Sequence, residues 1–132
     1  MDKKKVDALI PMAVDVLKDV GIANDNNEIN RAFRGQISTF GAAIINGSLI
    51  SAVAFFSNDS ESVKVKRSKL MDAIYMLIKN NKDNIEKNAL FSYVKDTTEP
   101  EMDKREKIIN AAIALKLAMN IYKLSGNEDE NE

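Results

Sequence analysis

The chain has 132 residues, which fits one domain able to bury roughly two-thirds of the surface of its unfolded form, so neither a disulfide nor a metal is needed to hold it. It is 45% apolar and 30% charged, with a formal net charge of −1 and no cysteine or histidine. Those two absences exclude disulfides, cysteine nucleophiles, cysteine-bound zinc and histidine acid–base chemistry. The expectation is a cytoplasmic non-enzyme with no cofactor.

The charge is unevenly placed. Residues 126–132 carry four acids and no base, and removing those four charges takes the net charge from −1 to +3. A folded, mildly basic domain is expected over residues 1–125, followed by an acidic, disordered tail over 126–132. The start is not expected to be a secretory signal, because Asp7 and Asp15 interrupt the apolar stretch after Lys3-Lys4-Lys5.

In chain order, the first predicted helix covers residues 4–20, where Val6, Leu9, Ile10, Ala13, Val16, Leu17 and Val20 recur at helical spacing. Pro11 should bend or restart it, and Gly21 should stop it. A second helix is expected over about 27–45, with Ile29, Phe33, Ile37, Phe40 and Ile44 on its buried stripe. Gly41, Ala42 and Ala43 leave room on it for a close neighbour.

No charged residue occurs from 35 to 58, a length that can span a bilayer, but the turn signal Asn46-Gly47 falls mid-segment. Two short helices are therefore expected, the second capped by Ser48 over 49–56. Its apolar surface on nearly all sides predicts a place in the middle of the fold. Further helices are expected over about 62–80 and 85–94. The last begins with a capping box at Thr98-Glu99-Pro100-Glu101 and runs to about 124, with Glu101–Arg105 and Asp103–Lys107 as helpful charge pairs. No strand-like alternation persists. The fold class is all-α, a compact single-domain bundle of five or six helices.

Signals for chemistry are sparse. The five glycines form no phosphate loop. Asp15/Asp19 and Asp103/Glu106 are acid pairs at helical spacing without a converging third ligand, and read as solvated faces rather than a metal site. A helix-turn-helix across Asn46-Gly47 fails because residues 49–56 contain no base to read DNA. Lys64, Lys66, Arg67 and Lys69 fall within six residues at a predicted helix start, where they oppose the helix dipole. They read equally as a phosphate-binding patch and as a solvated helix end. Arg31 and Arg34, one turn apart, are a second basic patch; Phe33 between them belongs to the buried stripe and is no stacking platform.

Residues 29–56 then carry a resemblance. Phe40 to Ile45, Asn46-Gly47, Leu49 and Ala52-Val53-Ala54-Phe55 resemble the small helical subunit of the type III-B, Cmr-type CRISPR effector complex, and 111–122 is similar to that family's final helix. The resemblance implies a non-catalytic role in antiviral defence. Copies would stack along the complex, contacting its backbone subunits and the groove where guide and target RNA pair, with no membrane involved. Pro11 and the acidic tail depart from the family pattern. The nucleic-acid-binding residues expected from charge are Arg31, Arg34, Lys64, Lys66, Arg67 and Lys69. The alternative is a helical protein–protein adaptor with no nucleic-acid contact.

Overall fold

The structure is a computed structural model that describes residues 1–59 and 65–126. Among these residues six α-helices form a single domain with one small sheet: α1 (Lys3–Asp19), β1 (Glu28–Asn30), α2 (Arg31–Asn46), α3 (Leu49–Phe56), α4 (Ser68–Lys79), α5 (Ala89–Lys95), α6 (Glu101–Ala118), a 3-10 turn (Met119–Ile121) and β2 (Lys123–Ser125). The mainly helical bundle agrees with the sequence pattern.

Local signals account for several boundaries. Asp2, Asn30 and Ser48 cap α1, α2 and α3 by accepting from the backbone N–H of Lys5, Ala32 and Ser51. Gly21 ends α1 at φ +78, letting the amides of Gly21 and Ile22 bond back to the carbonyls of Lys18 and Leu17. Pro11 is absorbed: α1 is continuous through it, forgoing the hydrogen bond Pro11 cannot donate. The charge-free segment splits at Asn46-Gly47 as expected, and no helix among the described residues is long and apolar enough to cross a membrane.

Several expectations need correction. Strands exist: β1 and β2 pair in parallel, Glu28 with Lys123, Ile29 with Leu124 and Asn30 with Ser125. Consequently α2 starts at Arg31 and not near 27, and the last helix gives way at Ala118 to the turn that feeds β2. The capping box does not form. Pro100 holds the N-cap position without a side-chain bond, and Glu99 instead accepts from the Tyr93 hydroxyl at 3.0 Å and pairs with Lys107 at 2.9 Å. The helix expected from 85 begins at Ala89, because Asn84 and Asn88 adopt positive φ and break any earlier turn. The helix expected from 62 begins at Ser68; residues 65–67 are not helical, and 62–64 lie outside the described residues.

The last correction concerns the centre. The middle of the fold is α6, not α3: α6 packs against α1, α2 and α4. Ala111, Ala112, Ala114 and Ala118 let neighbours approach closely, while Ile108 and Leu115 fill the core. The short helix α3 packs on α2 and α5, burying Leu49, Ala52, Val53 and Phe56 but leaving Ile50 and Phe55 exposed. Phe56 meets Phe40 edge to face at 5.3 Å, both sealed from solvent. Each such fully buried large side chain contributes about 1.5–3 kcal/mol.

Candidate functional site

The structure separates the residues that charge alone had grouped. Lys66 is exposed on the loop before α4. Arg67 is only 6% exposed: its Nε donates to the Asn58 carbonyl at 2.8 Å, and its guanidinium lies 4.3 Å from the ring centre of Phe55 and 5.2 Å from that of Phe56. A guanidinium set close to two rings and bonded to a carbonyl ties α3 to the start of α4. Lys69, half-buried, points another way and donates to the Gly21 carbonyl at 3.3 Å. Lys64 lies outside the described residues. Since α4 begins at Ser68, Lys66 and Arg67 precede the helix and do not stand on its first turn.

Arg31 and Arg34 do share the first turn of α2. The Arg31 Nε approaches the Ser125 carbonyl at 3.5 Å, and both side chains are half-buried. Of the acid pairs, Asp19 and Asp15 flank Lys82 at 3.3 and 4.0 Å, a surface arrangement with little energetic weight. No group of three or more metal-ligating side chains occurs among the described residues.

Two concave surfaces stand out. A polar cleft of about 450 Å³ lies where α4, α5 and the loop between them meet. Its rim carries Asp83, Glu86 and Asp96 against Lys79, whose ammonium sits 4.7 Å over the Tyr93 ring. Backbone and side-chain hydrogen bonds from Thr98 hold the Asp96 carboxyl below its usual range, so it is charged at neutral pH. The excess of carboxylates repels a polyanion there.

The second is an apolar groove of about 330 Å³ between α2 and α6, floored by Gly41, Ala42, Ile109 and Ala112 and edged by Ile45 and Lys116. Ile45 is 67% exposed. A β-carbon added at Gly41 would meet nothing within 4 Å, so the groove is open above the α2 backbone. The sequence signalled the small residues of this face; it did not signal Ile45, which lies just off the stripe ending at Ile44 and becomes distinctive only once its exposure is known.

Comparison with protein-family models, curated proteins and solved structures returns no match to this chain.

Proposed function

We propose that the chain is a non-catalytic cytoplasmic subunit that works by contact, and that its contact face is the groove between α2 and α6. The observation that carries this is a solvent-facing apolar surface whose most exposed large hydrophobic residue, Ile45, stands beside small residues that admit a helix at close range. The occupant that fits is an amphipathic helix of another subunit, placing an acidic residue near Lys116 at the rim.

The specific assembly is the type III-B, Cmr-type CRISPR effector, in which the chain is the small helical subunit. Support comes from the resemblance of residues 29–56, the same stretch that supplies the α2 wall of the groove. In that setting, copies of the chain and the backbone subunits are the protein partners. RNA contact falls to the exposed Lys66 and to Arg31 and Arg34, through phosphates and without sequence readout. The adaptor reading, with no nucleic-acid contact, is favoured by one observation: Arg67 and Lys69 each turn a donor to a carbonyl of the chain itself.

Affinity purification of the chain from the organism that encodes it, with mass spectrometry and RNA sequencing, tests both. Recovery of CRISPR-associated proteins and repeat-derived RNA is expected. Recovery of other proteins without RNA overturns the effector assignment and leaves the adaptor. Gly41→Leu, which fills the groove from a position with free space, should abolish partner recovery while the fold is retained.

A further inference from the structure

A third groove, of about 280 Å³, lies where α1, α4 and α6 meet, and none of its lining residues belongs to the groove between α2 and α6. Leu9 of α1 and Leu77 and Ile78 of α4 give it an apolar wall. Lys5 stands one turn before Leu9 on the same face of α1, and Lys107 and Asn110 stand one turn apart on α6. The Asp2 backbone N–H bonds the Asn110 side chain, which sets the first turn of α1 against this part of α6. Lys5, in that turn, and Asn110 therefore belong to one polar end of the groove.

Asn110 is a polar side chain only 2% exposed. Its Oδ1 accepts from Asp2 at 3.0 Å, which fixes the other amide atom as the NH2 group. Among the described residues that NH2 group donates to no acceptor. Among them also, Glu99 Oε2 is the one side-chain atom sealed from solvent without a hydrogen-bond partner. The Asn110 nitrogen is thus not sealed, and it meets the groove that its residue lines. A nearly buried donor without an acceptor costs stability, and an acceptor brought from outside restores it.

The charge beside this donor is positive. Among the described residues, no carboxylate lies within 4.0 Å of the Lys5 ammonium, while Lys107 is already paired with Glu99 at 2.9 Å. One unpaired ammonium and one half-neutralised one suit a single negative charge better than a polyanion. A carboxylate matches the set, one oxygen accepting from the Asn110 NH2 and the other from Lys5. The volume falls at the lower edge of ordinary ligand pockets, about 300–1,000 Å³, so the apolar part must be small.

We propose that this groove binds a small free aliphatic carboxylate, its head on Asn110 and Lys5 and its tail on Leu9, Leu77 and Ile78. The inference does not depend on what fills the α2–α6 groove.

Hexanoate is the probe, titrated into the full chain at neutral pH to about 30 mM, well above the Kd of about 1–10 mM that so small a ligand can reach. NMR follows the Asn110 side-chain NH2 and the methyls of Leu9, Leu77 and Ile78. A saturable shift at all four residues is expected. Acetate, which lacks the tail, and 1-hexanol, which lacks the charge, should each bind at least about 5-fold more weakly. Lys5→Gln, at an exposed position, should weaken hexanoate about 3- to 10-fold with the fold intact. Asn110→Asp keeps the acceptor for Asp2 but replaces the donor with a repelling charge, and should lose the methyl shifts; Lys5→Gln reads the site even where Asn110→Asp unfolds the chain. No saturable shift, equal affinity for hexanoate and 1-hexanol, unchanged affinity in Lys5→Gln, or shifts centred on the α2–α6 groove overturns the proposal. A leucine-ended peptide that binds at the same signals more tightly than hexanoate overturns the free acid as ligand and gives the groove to a protein C-terminus. None of these measurements uses RNA or an effector subunit, so the result is separate from the fate of the effector assignment.

Discussion

Lys104, on the first turns of α6 and only 4% exposed, donates its ammonium to the Val94 carbonyl at 2.6 Å, near the end of α5. The same ammonium bonds the Asp96 carbonyl at 2.5 Å. The cation thus serves two roles: it satisfies carbonyls where α5 runs out, and it pins α5 to α6.

Replacing Lys104 with Met keeps an unbranched stem out to the ε position but leaves those carbonyls without their donor. Charged hydrogen bonds contribute about 1.5–3 kcal/mol each, so losing both is expected to cost about 3–6 kcal/mol. Urea denaturation checks it; an unchanged midpoint would mean that water replaces the ammonium without loss.

Glu99 links Tyr93 and Lys107, and the bond from Lys107, followed by that from Tyr93, holds its carboxyl below the ordinary value of 4.5. A depressed carboxyl contributes stability above its unfolded pKa and loses it as pH falls through the folded one. The stability difference between the native chain and Glu99→Gln should therefore be constant at neutral pH and shrink as pH drops below about 4.5. Burial, then the Glu99 bond, raises the Tyr93 hydroxyl above its ordinary 10.0. Its contribution is intact below pH 10 and declines above it, a decline that Tyr93→Phe should remove. Thermal melts across the pH range read both.

Arg67 and Lys66 are adjacent in sequence and opposite in consequence. Arg67→Ala removes the bond to Asn58 and the cation–ring contacts with Phe55 and Phe56, and should cost about 2–3 kcal/mol. Lys66→Glu is exposed and should stay within about 0.5 kcal/mol of the native chain. A combined reversal of Lys66, Arg67 and Lys69 would therefore confuse unfolding with lost binding. Lys66→Glu alone, scored for RNA retention across a salt series, isolates the phosphate contact.

Tyr122 donates its hydroxyl to the Val14 carbonyl at 2.6 Å, tying the segment before β2 to α1. Tyr122→Phe keeps the ring and loses the bond, with an expected cost of about 1 kcal/mol. Hydrogen exchange should report it first at the amides of β1 and β2, since β2 follows directly on Tyr122. Uniform loss of protection across all helices would argue instead for a global effect.

Where structure follows from neighbours a few residues apart, the sequence alone was sufficient. The helix α3 is legible to the residue, because the Ser48 hydroxyl caps it and Asn46-Gly47 separates it from α2. The buried stripe of α2, Phe33, Ile37, Phe40 and Ile44, is likewise a matter of helical period. The helical class follows from such periods, repeated in most of the segments. What tertiary structure decided are the contacts between distant positions. Strands of three residues are too short to display alternation, and β1 exists only because β2 lies beside it, Asn30 pairing with Ser125 from the far end of the described chain. The direction of a cation is equally non-local. Lys66 and Arg67 are the same kind of charge in sequence, but Arg67 turns inward because Phe55, Phe56 and the Asn58 carbonyl offer it partners that compensate for lost hydration, and the exposed Lys66 keeps its water.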